Sequence, residues 1–284
     1  MATIKLIECP RDAMQGWKHF ISTQNKINYI NCLLKVGFDT IDFGSFVSPK
    51  AIPQMADTRE VLEGLIFQHS TTKLLAIVAN LRGALEAIKL KEIYYLGYPF
   101  SISPTFQHRN TNSTMEQSIL LVKEMQELCT LNGKELVVYI SMGFGNIYGD
   151  EYNEQIALHW IDKIAAIGVK IISIADTVGL ASAEQVSKLL NAVIPTYSGI
   201  EIGVHLHSTS LNWKSKVAAA VAGGCLRFDG TLKGIGGCPM ADDELVGNMD
   251  TELMIPYFKE LNLLNKLNEA ALQESIRLAN DIFK

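Results

Sequence analysis

Residues 170–207 read KIISIADTVGLASAEQVSKLLNAVIPTYSGIEIGVHLH, and the order of patterns within them decides the fold. A short apolar, β-branched run, Lys170–Ile174, is followed by an amphipathic segment, Ala183–Val193, and then by a second apolar run, Glu201–His205. Two strand-length runs joined through a segment whose apolar residues recur every three or four positions spell a β-α-β unit with parallel strands.

The same alternation continues on both sides. Strands are predicted at Thr3–Glu8, Thr40–Phe43, Lys73–Ala79, Glu92–Leu96, Glu135–Ser141 and Leu226–Asp229. Between them, helices are predicted at Thr23–Lys35, Thr58–Gln68, Thr114–Leu131, Glu151–Ile167 and Asn212–Ala222. The pairs Ser22-Thr23, Asp57-Thr58 and Ser113-Thr114 supply the small polar residues that favour helix starts. Eight strands separated by helices predict an α/β fold of the (β/α)8 TIM-barrel type. Two C-terminal helices, Thr251–Leu261 and Leu264–Phe283, complete it within roughly residues 251–284. No stretch has linker composition, so residues 1–284 are expected to form one domain. An open doubly wound sheet is the competing architecture, and the lack of a G-x-G-x-x-G after the first strand weighs against it.

Composition narrows the function classes. The chain has 284 residues, 48% of them hydrophobic and 19% charged, with a net charge of -5. That balance gives no reason to expect nucleic acid or an anionic membrane as partner. Five cysteines form an odd set without CxxC spacing, which fits a reducing compartment rather than a disulfide framework. No apolar run reaches the roughly 20 residues of a membrane helix. Met1–Glu8 passes into a strand pattern without a charged and apolar leader, so a cytoplasmic location is expected.

In a barrel, chemistry belongs at the C-terminal strand ends. Those ends carry Arg11-Asp12, Asp42 and Ser45, Asn80, Ser141, Asp176-Thr177, and His205 with His207. The eighth strand leads into Gly234-Ile235-Gly236-Gly237-Cys238-Pro239-Met240-Ala241, followed by Gly247-Asn248. Glycines around a thiol suggest a mobile loop that can approach a ligand closely, with Cys238 either an inert apolar residue or a reactive group. On a strand, His205 and His207 face one way and Leu206 the other, so two imidazoles are offered to one side. They are either paired hydrogen-bonding groups or metal ligands. With the Asp12 carboxylate and the Asn248 amide they make a mixed N/O set suited to Mg²⁺ or Mn²⁺ and compatible with Zn²⁺, Co²⁺ or Fe²⁺.

Other residues have plainer readings. His19, His69, His108 and His159 stand singly and read as structural or surface groups, and Cys9, Cys32, Cys129 and Cys225 as buried apolar fillers. Asp176 either caps a loop or touches substrate, and Asn80 and Ser141 can be ordinary hydrogen-bonders.

These residues together resemble the 3-hydroxy-3-methylglutaryl-CoA lyase family of metal-dependent TIM-barrel lyases. The resemblance rests on Pro10-Arg11-Asp12-Ala13-Met14-Gln15, Ser45-Phe46-Val47-Ser48-Pro49-Lys50 with Pro53-Gln54-Met55-Ala56-Asp57, and Ala79-Asn80-Leu81-Arg82-Gly83. It continues through Asp176-Thr177-Val178-Gly179, Val204-His205-Leu206-His207, Gly236-Gly237-Cys238-Pro239 and Gly247-Asn248 with Glu252. The S-F-V-S-P-K and G-G-C-P blocks are specific, whereas R-D and H-x-H are shared with related barrels.

The resemblance implies cleavage of 3-hydroxy-3-methylglutaryl-CoA to acetyl-CoA and acetoacetate, as in leucine degradation. It implies metal ligands Asp12, His205, His207 and Asn248, with Arg11 stabilising the thioester enolate and Cys238 exchanging a proton. Asp42 and Glu252 match acidic positions of the family's catalytic region. Gln15, Ser45, Asn80, Ser141, Ser173 and Thr177 fall at positions around the substrate pocket. The expected partners are an acyl-CoA substrate and further copies of the chain, as a dimer or tetramer.

Several positions depart from the family pattern. Asp42 replaces a glutamate, Ala13 a glycine, the segment before Arg11 is one residue shorter, and Cys238 to Asn248 is one longer with acidic Asp242-Asp243-Glu244. These departures spare every implied ligand and bear on the acyl substrate. A Claisen-condensing acyl transferase of the isopropylmalate-synthase type, or a hydroxyacyl or pyruvate aldolase, shares R-D and H-x-H. A non-catalytic binding barrel is countered by the completeness of Arg11, Asp12, His205, His207, Cys238 and Asn248.

Overall fold

Eight parallel strands hydrogen-bond in sequence order, β1 through β8, and the last returns to the first. They are β1 Lys5–Glu8, β2 Thr40–Ser45, β3 Lys73–Ile77, β4 Ile93–Ser101, β5 Glu135–Ser141, β6 Ile171–Ala175, β7 Glu201–His205 and β8 Arg227–Gly230. Closure sets Lys5 opposite Arg227 and Glu8 opposite Gly230. The computed structural model describes residues 3–68, 70–237 and 246–284. The expected (β/α)8 barrel is therefore the observed architecture.

The strands are buried on both faces, as parallel strands under a helical layer require. Their outward residues join the helices in the main core, where Leu6, Ile41, Leu74, Leu96, Val138, Ile172 and Phe228 pack. A smaller inner cluster, Leu75, Tyr95, Val137, Tyr139 and Ile171, fills one side of the barrel interior.

Boundaries shift where local chemistry decides them. The helix starting at Thr23 is capped by Ser22, whose side chain accepts from Asn25 N–H. Thr114 and Gln117 form a capping box for Met115–Leu131. Asp57 precedes Thr58–Glu63 but caps nothing, because its carboxylate accepts from Thr23 Oγ1 and Lys26 Nζ instead. That helix ends at Gly64, short of the predicted Gln68, where a Cβ would meet Ile27 at 2.5 Å. Three short helices escape the periodicity: Pro10–Gln15, Leu81–Ala87 and Pro104–Thr111. The closing helices are Thr251–Glu260 and Glu269–Ile282. Among the described residues no helix is long and apolar enough to cross a membrane.

Candidate metal and substrate site

The site begins with the helix Pro10–Gln15, which follows β1 after one residue, Cys9. Pro10 starts this helix, where its missing N–H is no loss. Arg11 and Asp12 are thereby held side by side over the barrel mouth, and both are buried. Arg11 Nε donates to Asp42 Oδ2 at 3.0 Å, Nη2 donates to the same oxygen, and Nη1 donates to Asp12 Oδ1 at 2.8 Å. Gln15 Nε2 donates to that Asp12 oxygen at 2.6 Å. Asp42 thus grips the guanidinium from β2. Among the described residues, one N–H on each Nη has no acceptor.

Two strands round the barrel from β1, β7 ends at His205, and His207 follows two residues later. The donor atoms of Asp12, His205 and His207 all lie within 4.8 Å of one another. His205 Nε2 is 3.7 Å from Asp12 Oδ2, and the two imidazole centroids are 5.5 Å apart. Leu206 between them turns into the apolar core. Residue 248 joins through an antiparallel bridge to His207, reinforced by Met249 N–H donating to the Leu206 carbonyl. Asn248 Nδ2 donates to Asp12 Oδ2 at 2.7 Å and to the Ile235 carbonyl at 3.0 Å. Its Oδ1 is buried without a hydrogen-bond partner among the described residues.

The electrostatics suit ligation. Burial and the neighbouring His205 push His207 down to about 3, so it is neutral with its lone pair available. Burial works to raise Asp12, but Arg11, His205, His207 and the Asn248 hydrogen bond together hold it below the usual carboxylate range. Burial would lower His205, yet the Asp229 hydrogen bond and the charges of Asp229 and Asp12 outweigh it and raise the imidazole. Burial lifts Asp42 to about 6 against the pull of Arg11.

A divalent cation fits these groups. Bonds of about 2.0–2.2 Å put neighbouring ligand atoms roughly 3–4.4 Å apart, which the cluster allows. The orphaned Asn248 oxygen gives the same indication, since a buried acceptor without a donor is costly unless something positive faces it.

The flanks of the cysteine loop close against this cluster. Gly236 has φ +99°, and a Cβ there would lie 2.7 Å from the Asp12 carbonyl oxygen and 2.8 Å from Asn248 Nδ2. Only glycine lets the backbone pass so near these groups. Cys238 and the acidic stretch Asp242-Asp243-Glu244 lie outside the described residues, as does His69.

The remaining predicted residues divide. Ser45, Ser141, Ser173 and Thr177 are buried at the ends or inner faces of β2, β5 and β6. Ser45 Oγ accepts from Val47 N–H at 3.2 Å, and Thr177 Oγ1 accepts from Met142 N–H at 2.8 Å. Ser173 Oγ is buried without a partner among the described residues. Asn80 caps the helix Leu81–Ala87 by accepting from Gly83 N–H. Glu252 opens the last-but-one helix, half-buried, with no described contact to the Asp12 cluster. Asp176 braces its own loop through Ala181 N–H and pairs with Lys216.

Three residues escape the sequence reading. Asp229 accepts from the ring of His205, Lys216 donates to the His207 carbonyl at 2.7 Å, and Glu8 ties β1 to the backbone of Leu232, just past β8. The signal for Asp229 is its spacing from Arg227, since charges two apart on a doubly buried strand must face the barrel interior. Arg227 does so over Gly203, where a Cβ would lie 2.8 Å from Arg227 Cδ. A cavity of about 830 Å³ lies elsewhere, between the helix Met115–Leu131 and the start of β5.

A model of the family described as HMGL-like matches residues 4–280. The chain belongs to the HMGL-like family. Among its relatives, "Hydroxymethylglutaryl-CoA lyase YngG" of Bacillus subtilis is 29% identical over 92% of this chain and 88% of its own. "3-hydroxy-3-isohexenylglutaryl-CoA/hydroxy-methylglutaryl-CoA lyase" of Pseudomonas aeruginosa is 30% identical over 96% of this chain and 90% of its own. An HMG-CoA lyase from Acinetobacter baumannii, solved with coenzyme A and 3-methylmalate, superposes with a TM-score of 0.90 at 30% identity, covering 99% of this chain and 91% of that one. The HMGL-like match thus runs across the whole barrel and includes Arg11, Asp12, His205, His207 and Asn248.

Proposed function

We propose that this protein is a divalent-metal-dependent carbon–carbon lyase that cleaves 3-hydroxy-3-methylglutaryl-CoA into acetyl-CoA and acetoacetate. The reading is carried by one observation: Asp12, His205 and His207 converge within 4.8 Å beside the clamped Arg11 guanidinium. Asp12, His205, His207 and Asn248 would hold Mg²⁺ or Mn²⁺. Bound there, the cation supplies Lewis acidity that makes a tertiary hydroxyl easier to deprotonate.

The chain's own groups account for the rest. Arg11 cannot lose its proton, and its two free N–H bonds stabilise the negative charge that develops on the thioester oxygen as the C–C bond breaks. Asp42 holds the guanidinium plane, so this stabilisation needs no reorganisation during reaction. Cleavage gives up one proton from the tertiary hydroxyl and takes up one at the released enolate, so no net proton is consumed; Cys238, by resemblance, delivers the second, a step worth about 10²–10⁴ in rate when the acid is positioned. Ser45, Ser141, Ser173 and Thr177 line the rim that would orient the acyl group.

The name of the Pseudomonas relative, which joins an isohexenyl and a methyl substrate, favours a second reading in which the 3-alkyl group is longer. The test is acetoacetate release from 3-hydroxy-3-methylglutaryl-CoA with Mg²⁺ or Mn²⁺, with and without a chelator, beside the 3-isohexenyl analogue. Turnover of the analogue alone moves the substrate. Turnover of neither, or turnover that survives chelation, overturns the function. A cytoplasmic location is part of the proposal, supported by the free, buried thiols of Cys9, Cys32, Cys129 and Cys225.

A further inference from the structure

His205 has a buried carboxylate, Asp229, beside it in the barrel interior. β7 and β8 pair Val204 with Phe228, so the next residue on each strand, His205 and Asp229, stand side by side. Asp229 Oδ2 lies 3.2 Å from His205 Nδ1, while Nε2 on the far side of the ring faces Asp12 Oδ2 at 3.7 Å. Tyr139 packs edge-on against the imidazole, with centroids 6.0 Å apart at 88°, and limits its rotation.

Asp229 is 2% exposed, and its Oδ1 has no hydrogen-bond partner among the described residues. A carboxyl group kept for architecture looks different. Glu8 uses both oxygens, accepting from Leu232 N–H and from Thr251 Oγ1. Among the described residues the Asp229 carboxylate hydrogen-bonds to the histidine alone, with the Arg227 charge two residues along the same strand face to offset its burial.

We propose that Asp229 is a positioning residue for the metal centre: it accepts the Nδ1 proton of His205 and thereby holds the Nε2 lone pair toward Asp12 and His207. This rests on the metal-site reading above. A neutral imidazole carries one proton, and which nitrogen holds it decides which can ligate. A carboxylate at Nδ1 fixes that choice and the ring orientation, and losing such a partner costs about 10–100-fold in metal affinity. The Nδ1 side also has the Cys9 thiol within reach of His205 and Asp229. That thiol is buried and donates to the Ile7 carbonyl at 3.8 Å, which leaves Nδ1 to Asp229.

The test uses the full chain and Mn²⁺. In ¹⁵N-histidine spectra of the metal-free protein, recorded at a pH where His205 is neutral, the wild type is expected as the Nδ1–H tautomer, and Asp229→Asn and Asp229→Ala as mixtures. Mn²⁺ titration calorimetry should show affinity about 10–100-fold weaker in both variants, with Asp229→Glu recovering part of the loss. Saturating Mn²⁺ should then restore turnover of Asp229→Asn. An Nε2–H tautomer in the wild type, unchanged Mn²⁺ affinity in the variants, or two ions bound per chain overturns the proposal. The wild-type spectrum decides even if a variant fails to fold. If His205→Ala and Asp12→Ala leave Mn²⁺ affinity untouched, the metal site itself falls. If they abolish binding while Asp229→Asn does not, only the role of Asp229 falls.

Discussion

Lys216 Nζ lies 2.8 Å from Asp176 Oδ2, with both side chains buried. The same ammonium donates to the His207 carbonyl at 2.7 Å and to the Gly179 carbonyl at 3.3 Å. One cation from the helix Trp213–Ala222 therefore ties together the loop after β6 and the backbone of a candidate metal ligand. Removing one member of a buried pair leaves the other uncompensated, at about 3–5 kcal/mol. Lys216→Met is expected to cost that much in denaturant unfolding and to weaken Mn²⁺ binding, because His207 loses its tether. A loss below about 1 kcal/mol would show that the pair contributes little.

Arg11 is the group whose chemistry a lysine cannot copy. Its Nε and Nη2 grip Asp42 while Nη1 holds Asp12, so the plane is fixed by two carboxylates. Arg11→Lys keeps the charge and loses the fork. On the proposed function it should lower kcat about 10²–10³-fold with KM little changed, as expected for a lost transition-state contact. Steady-state kinetics that show mainly a raised KM would assign Arg11 to substrate binding instead.

Cys238 obeys the same logic by resemblance. Cys238→Ala should cut kcat about 10²–10⁴-fold, the range for a positioned acid, with Mn²⁺ affinity unchanged. A fall in Mn²⁺ affinity would move Cys238 from proton transfer to ligation.

Metal binding should track the titration of His205. Its folded pKa is raised above the usual 6.5, because Asp229 and Asp12 outweigh burial. Below that pKa the proton competes with the cation for Nε2. Mn²⁺ affinity should therefore fall toward acid pH, by about tenfold per unit once His205 is protonated. His207, held down to about 3, adds no second proton in this range. Calorimetry near pH 6 in two buffers of different ionisation enthalpy should find about one proton released per ion. Affinity that is flat from pH 5.5 to 8, a range of about one unit or more on each side of an ordinary histidine, would exclude His205 as a ligand.

What the sequence disclosed and withheld has a physical pattern. Glu135–Ser141 and Glu201–His205 are observed as predicted, since uninterrupted apolar runs leave no other boundary. β4 is predicted to stop at Leu96 but continues to Ser101. Gly97 and Pro99 resemble breaks, yet Pro99 pairs with Tyr139, and a Cβ on Gly97 would meet Ile77 at 2.6 Å. In the site, the convergence of Asp12, His205 and His207 is legible because residue type and position at the strand ends together predict it. Asp229, Lys216 and Glu8 are not, because each acts through a partner 24, 40 or 243 positions away, and that pairing exists only once the barrel closes.

Glu8 is the clearest of these and bears on stability. It is fully buried on β1, its Oε1 accepting from Leu232 N–H at 2.8 Å and its Oε2 sharing a 2.6 Å hydrogen bond with Thr251 Oγ1. Burial pushes its carboxyl up to about 8, against both hydrogen bonds. The folded protein thus keeps this proton to about pH 8, whereas the unfolded chain releases it near the ordinary glutamate value of 4.5. The unfolded state binds fewer protons across that window, so the stabilising contribution is full below pH 4.5 and is lost as pH rises through 8. At about 1.4 kcal/mol per pKa unit, the loss is on the order of a few kcal/mol. Glu8→Gln mimics the protonated form: its carbonyl can accept from Leu232 and its amide can donate to Thr251. Denaturant unfolding should find wild type and Glu8→Gln nearly equal at pH 5, with the variant more stable at pH 9. Parallel curves across that range would mean that Glu8 is ionised in the folded barrel, held there by the Leu232 and Thr251 bonds.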